Sequence, residues 1–265
     1  MASLPGCAAH RTTTQPQPAR ATNQSISSND LILAAADREA LYTLAGGLKP
    51  MSSGFWTTTF RIDQPDLDEV QAVNLALAPL RNDIWYAALQ VFARARDGER
   101  FVHAYVVHRG SFAAMIDRYP SFWQQWGITP ATHPAGVIAV VDRMPAADRW
   151  RGYGYMFGYP KDAIDFFVKA GFAARDGGEV GPGIDREFIQ IPTHSSATGR
   201  FTYAVPIGHT PTADDQRIAT QAANILREYS ARRDRMTDVE RSLNELHKLN
   251  NLFKHNGAAA FVPRP

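Results

Sequence analysis

The chain has 265 residues, a formal net charge of +2 at pH 7, 45% hydrophobic residues and 20% charged residues. This composition is typical of a globular protein and excludes a chain that is disordered throughout. The small net charge argues against a nucleic-acid contact surface. No run of residues approaches the roughly 18 consecutive apolar residues that a membrane-spanning helix needs.

The N-terminal residues 1–29 are predicted to form a disordered tether, because a segment rich in Thr, Gln, Pro, Ser and Asn cannot bury enough apolar surface to fold. Cys7 is the only cysteine of the chain, so it has no partner for an internal disulfide. The tetrapeptide Leu4-Pro5-Gly6-Cys7 resembles the lipobox of bacterial lipoproteins. That resemblance implies that Cys7 carries lipid and anchors the protein to the periplasmic face of a bacterial membrane, with no other membrane contact.

Export needs more than the lipobox. A signal sequence has a basic region and an apolar region before the cleavage site, and only Met1-Ala2-Ser3 precede Leu4. The lipoprotein interpretation therefore requires that the true start lies upstream of Met1. The alternative is a cytoplasmic protein with an accidental match.

The body, residues 30–211, is predicted to be α+β with a largely antiparallel sheet built from hairpins and flanked by helices. The first half contains a helix over 31–45, capped by Asn29 or Asp30 and ended by Gly46-Gly47, then a strand over 55–62 and a helix over 66–80. A hairpin follows over 84–95 and 100–108, since Asp97-Gly98 is the strongest short signal for a two-residue turn.

The second half of the body contains a helix over 111–116 that Ser111 caps, a short buried strand over 137–141, and helices over 146–151 and 162–170. A second hairpin is predicted over 188–191 and 200–207. Strands that come in hairpins, rather than in repeated βαβ units, favour an antiparallel sheet.

Residues 212–256 carry the longest periodic pattern. Thr212 and Asp215 form a capping box, and apolar residues then recur at alternating spacings of four and three. This pattern predicts one long helix, with a surface for a second copy or a partner protein, or two core helices with a break near Met236. Residues 257–265 are expected to be a disordered tail.

Two loops have the character of a ligand site. In residues 152–160 glycines alternate with aromatic residues, which would share one face if the segment were extended. Aromatic faces stack on sugars or flat ligands, and glycine leaves the backbone open to close approach. The loop over 46–56 is the second, and the two would form a pocket if they meet. We therefore predict that a small molecule or glycan contacts five residues: Lys49, Trp56, Tyr153, Tyr155 and Tyr159.

No short catalytic or metal-binding motif is present: HExxH, Gly-x-Ser-x-Gly and the P-loop are all missing. The sequence therefore favours an envelope lipoprotein that binds a ligand or a protein partner without catalysis, with no metal and no cofactor. The alternative is an envelope hydrolase or transferase with a site assembled from dispersed residues: Lys49, His133, Asp142, Tyr155 and His194.

Overall fold

The computed structural model describes residues 26–173 and 184–259, and its fold is α+β as predicted. Cys7, most of the predicted tether and the end of the predicted tail lie outside the described residues. The helices are α1 (Ser28–Ala36), α2 (Leu41–Leu44), α3 (Asp68–Ala76), α4 (Arg109–Arg118), α5 (Pro120–Trp123), α6 (Pro134–Arg143), α7 (Ala146–Met156), α8 (Lys161–Ala173), α9 (Ala213–Ser230) and α10 (Val239–Ala259). The strands are β1 (Met51–Arg61), β2 (Trp85–Val91), β3 (Glu99–His108), β4 (Arg186–Thr193) and β5 (Ser196–Pro206).

The strands form antiparallel pairs in two sheets. The first sheet has the order β1-β3-β2, and the second is the hairpin of β4 and β5. Asp97 and Gly98 have φ angles of 53° and 78°, the left-handed conformation at both central positions that a type I′ turn requires. Both predicted hairpins are therefore confirmed.

The predicted strand over 137–141 is wrong, because these residues lie in α6. His133 caps this helix, since its Nδ1 atom accepts a hydrogen bond from the Ala135 amide at 3.3 Å. Val137, Ile138 and Val141 are buried at helical spacing. A short apolar run has no periodicity of its own that distinguishes a buried strand from the buried face of a helix.

The predicted helix over 31–45 is broken into α1 and α2. Ser27, rather than Asn29 or Asp30, caps α1, because its hydroxyl accepts a hydrogen bond from the Asp30 amide at 3.2 Å. The chain turns after Ala36, and α2 ends before Gly46, which has a φ of 97° as expected of a glycine stop.

The C-terminal residues form a helix pair, α9 and α10, with the break near Met236 that was one of the two alternatives. The predicted capping box is present, with the Asp215 amide 3.2 Å from the Thr212 hydroxyl. The apolar stripe of α9 is buried in the same core cluster as Leu246 and Leu249 of α10. The repeat therefore packs within the chain, and association with a second copy stays a prediction.

The buried residues form two core clusters. The first joins α1, α2, α9 and α10 to one side of the sheets, and the second joins α4, α6 and α7 to Met51 and Tyr105. Tyr159 packs against both clusters. Among the described residues, no helix combines the length and the apolar character needed to cross a bilayer.

Candidate ligand-binding site

The two loops singled out in the sequence meet in the structure. Gly158 has a φ of 71°, and a Cβ atom at this position would lie 3.0 Å from Pro50 Cδ and 3.2 Å from the Leu48 carbonyl oxygen. Only glycine adopts this conformation without strain and lets the chains approach so closely. The contact brings Lys49 Nζ to 5.9 Å from the ring centroid of Tyr159.

Lys49 is fully buried beneath this contact. Its ammonium group forms an ion pair with Glu39 at 3.2 Å and lies 4.6 Å from the ring centroid of Phe201 and 5.3 Å from that of Phe157. Burial lowers the pKa of Lys49, whereas the charge of Glu39 opposes that shift. A carboxylate and several aromatic faces are the surroundings that stabilise a buried cation. Lys49 therefore lies behind the surface, enclosed by protein groups.

A cleft opens in front of this loop contact. It lies where α4 ends, α7 leads into α8, and α9 begins, and its space is about 380 Å³ when the part open to solvent is included. The aromatic and charged side chains of its lining are Arg118, Tyr119, Tyr155, Tyr159, Lys161, Asp214 and Arg217. Two predicted ligand-binding residues, Tyr155 and Tyr159, are thus brought together here.

Aromatic rings form one wall of the cleft. Tyr155 stacks on Tyr119 with ring centroids 4.1 Å apart and an angle of 22° between the planes. Phe122 packs edge-on to Tyr155 at 5.2 Å. Burial raises the pKa of both Tyr119 and Tyr155, so their phenol groups stay protonated at neutral pH. Tyr155 is therefore buried against Tyr119 and Phe122, and Tyr119 is half-buried at the cleft.

Charged side chains form the rim. Arg217 contacts Asp214 at 2.9 Å, and Lys161 contacts Asp165 at 2.5 Å. The Arg118 guanidinium lies 5.6 Å from the ring centroid of Tyr119. The lining thus holds three cationic side chains and one acidic side chain.

Tyr153 does not share a face with Tyr155, so the expectation of one extended aromatic face is wrong. Helix α7 continues to Met156, and residues two apart on a helix point in different directions. Tyr153 accepts a hydrogen bond from Gln90 Nε2 at 2.6 Å and stacks on Phe157 at 5.8 Å. Burial raises its pKa to about 12.

Gly152 and Gly154 of α7 allow close packing of helices and do not open the backbone to a ligand. A Cβ atom on Gly152 would lie 2.9 Å from Val141 Cγ1, and one on Gly154 would lie 2.7 Å from Ile164 Cγ1. These two positions let α7 pack closely on α6 and α8. Trp56, also predicted to bind ligand, lies in β1, partly buried against the first core cluster.

The residues considered for catalysis have separate surroundings within the described parts of the chain. Asp142 accepts a hydrogen bond from the Ala93 amide at 2.6 Å, and His133 lies edge-on to Tyr86 with ring centroids 4.6 Å apart. His194 lies in the β4–β5 turn beside the end of α9. In residues 26–173 and 184–259, no three His, Cys, Asp or Glu side chains are grouped as a metal site would need.

Sequence reasoning missed Glu39 and Phe201 around Lys49, and Tyr119, Arg118 and Arg217 around the cleft. These residues come from segments that are distant in the chain, and no spacing within one segment indicates that they meet. The chain matches no protein-family model, no curated protein and no solved structure. The candidate function therefore depends on the geometry of this site.

Proposed function

We propose that this protein binds a small molecule with a flat or sugar ring in the cleft between α4, α7, α8 and α9. The observation that carries the proposal is the stacked pair of Tyr119 and Tyr155 in the wall of the cleft. Tyrosine provides a broad apolar face and a polar tip, the combination that suits rings carrying hydroxyl groups.

The composition of the cleft lining agrees with a small ligand, because sites for small molecules combine aromatic and apolar walls with a few polar groups. The lining has tyrosine rings beside arginine, lysine and aspartate side chains. Tyr159 closes the back of the cleft against Lys49.

The arrangement favours binding over catalysis. The functional groups of the lining are protonated phenols, guanidinium and ammonium groups and the Asp214 carboxylate. Such groups hold a ligand by stacking and hydrogen bonds. The histidines considered for catalysis lie elsewhere, beside Tyr86 and at the β4–β5 turn.

Saturation-transfer NMR tests the proposal with phenol and methyl glucoside as ring probes. We expect transfer to at least one probe in the native protein and its loss in Tyr119→Ala. Phe167→Ala is the matched control, because Phe167 is an exposed aromatic residue of α8 outside the cleft lining. The proposal is wrong if neither probe shows transfer, or if Tyr119→Ala and Phe167→Ala behave alike.

The lipobox-like sequence supports a location for this activity, the periplasmic face of a bacterial membrane with Cys7 as the lipid anchor. Cys7 lies outside the described residues, so this part of the proposal depends on the sequence alone. Labelling with a palmitate analogue, in cells that express the gene with its upstream DNA, tests it. We expect label in the native protein and none in Cys7→Ser; equal labelling of the two would contradict the anchor.

A further inference from the structure

We infer that the ligand of this cleft is a neutral ring that carries several hydroxyl groups, as a monosaccharide does. The inference deepens the proposed function and rests on it. The juxtaposition that carries it is the pair of Asp214 and Arg217, with hydrogen-bonding atoms to spare, in the same lining as three tyrosine hydroxyl groups.

The pair of Asp214 and Arg217 offers an acceptor and a donor together. Arg217 donates from Nε at 3.3 Å and from Nη2 at 2.9 Å, and both hydrogen bonds end on Asp214 Oδ1. Within the described chain, Asp214 Oδ2 and Arg217 Nη1 form no further hydrogen bond. The two side chains are 47% and 26% exposed, so a ligand can reach them. One hydroxyl group of a ring can donate to Oδ2 while its neighbour accepts from Nη1.

The tyrosines of the lining offer further polar groups. The hydroxyl groups of Tyr119, Tyr155 and Tyr159 form no hydrogen bond with the described residues. Burial raises the pKa of all three tyrosines, so each hydroxyl group keeps its proton and can both donate and accept. Tyr155 is only 6% exposed, and a polar group in such a buried side chain normally has a partner. A ligand with several hydroxyl groups would supply partners of this kind.

The ion pairs at the cleft suit a neutral ligand. Arg217 binds Asp214 at 2.9 Å, and Lys161 binds Asp165 at 2.5 Å. A charged ligand would compete with these pairs for their partners. A hydroxyl group instead bonds to the outer atoms of a pair and leaves the pair intact.

The number of spare polar groups distinguishes a sugar from an aromatic ring. Phenol has a single hydroxyl group and would leave most of the spare donors and acceptors of the lining without a partner. A polar group that binding buries without a partner costs free energy. A monosaccharide carries hydroxyl groups around the whole ring, so it can satisfy several of these groups at once.

NMR titration of the full chain tests the inference with methyl glucoside, cyclohexanol and phenol. Cyclohexanol is a saturated ring like the sugar but has one hydroxyl group. We expect methyl glucoside to bind at least about 3-fold more tightly than cyclohexanol or phenol, because it forms at least one more hydrogen bond.

Replacement of Asp214 tests its role in binding the sugar. Asp214→Ala should weaken the binding of methyl glucoside about 3- to 10-fold and leave phenol binding unchanged. Asp162→Ala is the matched control, because Asp162 is also an acidic residue in the first turn of a helix but lies outside the cleft lining. It should leave the binding of both probes unchanged.

A second variant removes one hydroxyl group and keeps the ring. Tyr159→Phe should weaken the binding of methyl glucoside about 3-fold and leave phenol binding unchanged. Tyr86→Phe is its control, since Tyr86 is a partly exposed tyrosine of β2 outside the cleft lining, and it should have no effect.

The outcomes separate the two proposals. If phenol binds and methyl glucoside binds no more tightly than phenol, the sugar inference is wrong while ring binding stands. If methyl glucoside binds but Asp214→Ala and Tyr159→Phe behave like their controls, the inference is also wrong, because the spare polar groups do not hold the sugar. If none of the three probes binds, both proposals are wrong.

Discussion

Tyr229 donates a hydrogen bond from its hydroxyl group to Asp37 Oδ1 at 2.7 Å and so joins the end of α9 to the end of α1. Arg233 binds the same carboxylate through two contacts, at 2.7 and 2.8 Å. Burial opposes the ionisation of Asp37, yet these hydrogen bonds lower its pKa. Asp37 therefore connects the C-terminal helix pair to the N-terminal helix.

Replacement of Asp37 should weaken this connection. Asp37→Asn removes the charge and half of the acceptor pair, which leaves the Arg233 guanidinium and the buried Tyr229 hydroxyl poorly matched. We expect a loss of about 1–3 kcal/mol in the free energy of unfolding, measured by urea denaturation. Asp63→Asn is the control, because Asp63 forms an exposed pair with Arg61, and it should leave stability unchanged. Equal losses of unfolding free energy in the two variants would contradict the conclusion that Asp37 connects the helix pair to α1.

Replacement of Glu39 and replacement of Lys49 should lower the free energy of unfolding by different amounts. Glu39→Ala leaves the ammonium group of Lys49 buried without its carboxylate, so we expect a loss of about 3–5 kcal/mol in unfolding free energy. Lys49→Met keeps the volume, lets an apolar chain fill the aromatic surroundings, and leaves a partly hydrated Glu39, so it should cost less than about 2 kcal/mol. Urea unfolding of both variants checks the order, and the reverse order would contradict it.

Gly158 should tolerate alanine less well than Gly127 does. Both have left-handed φ angles, 71° and 68°, but a Cβ atom on Gly127 would meet nothing within 4 Å. Gly127→Ala should therefore cost only the backbone strain, about 1–2 kcal/mol. Gly158→Ala adds a steric clash with Pro50 and the Leu48 carbonyl, so we expect a greater loss of stability and weaker ligand binding.

Thermal unfolding of the two glycine variants, combined with phenol binding, measures that difference. Equal melting temperatures and unchanged binding would show that the contact between the two loops does not shape the cleft.

His108 should make stability depend on pH. Its Nδ1 accepts a hydrogen bond from the Ser111 amide at 3.1 Å, so the ring proton is on Nε2 and is donated to Asn250 Oδ1 at 3.0 Å. Burial lowers the pKa of His108, although the hydrogen bond to Asn250 opposes that shift. The unfolded chain therefore takes up the proton first, near pH 6.5, and stability falls as the pH drops from that value toward the lower folded pKa.

Urea unfolding between pH 5 and pH 8 measures this loss, which cannot exceed about 1.4 kcal/mol per pH unit for one histidine. His103 and His247 also have pKa values lowered by burial and act in the same direction. His108→Gln should therefore reduce the slope of the unfolding free energy against pH without abolishing it. An unchanged slope would mean that His108 does not titrate differently in the folded and unfolded states.

Local chemistry explains which elements the sequence predicts correctly. Asp97-Gly98 adopts the left-handed turn because few other residue pairs do so at low cost, and Thr212 caps α9 because its hydroxyl reaches an amide three residues later. The helix that was predicted to start at Ser111 instead starts at Arg109, because the His108 side chain accepts from the Ser111 amide. A histidine cap leaves little signal in the sequence.

The sequence alone thus determined the α+β class, both hairpins and the capping box. These features depend on interactions between residues close together in the chain. Tertiary packing decided that 137–141 is helical and that Lys49 is enclosed by Glu39 and Phe201. Tertiary packing also assembled the cationic rim from three helices. Burial and charge balance depend on residues that are remote in sequence, so no local spacing determines them.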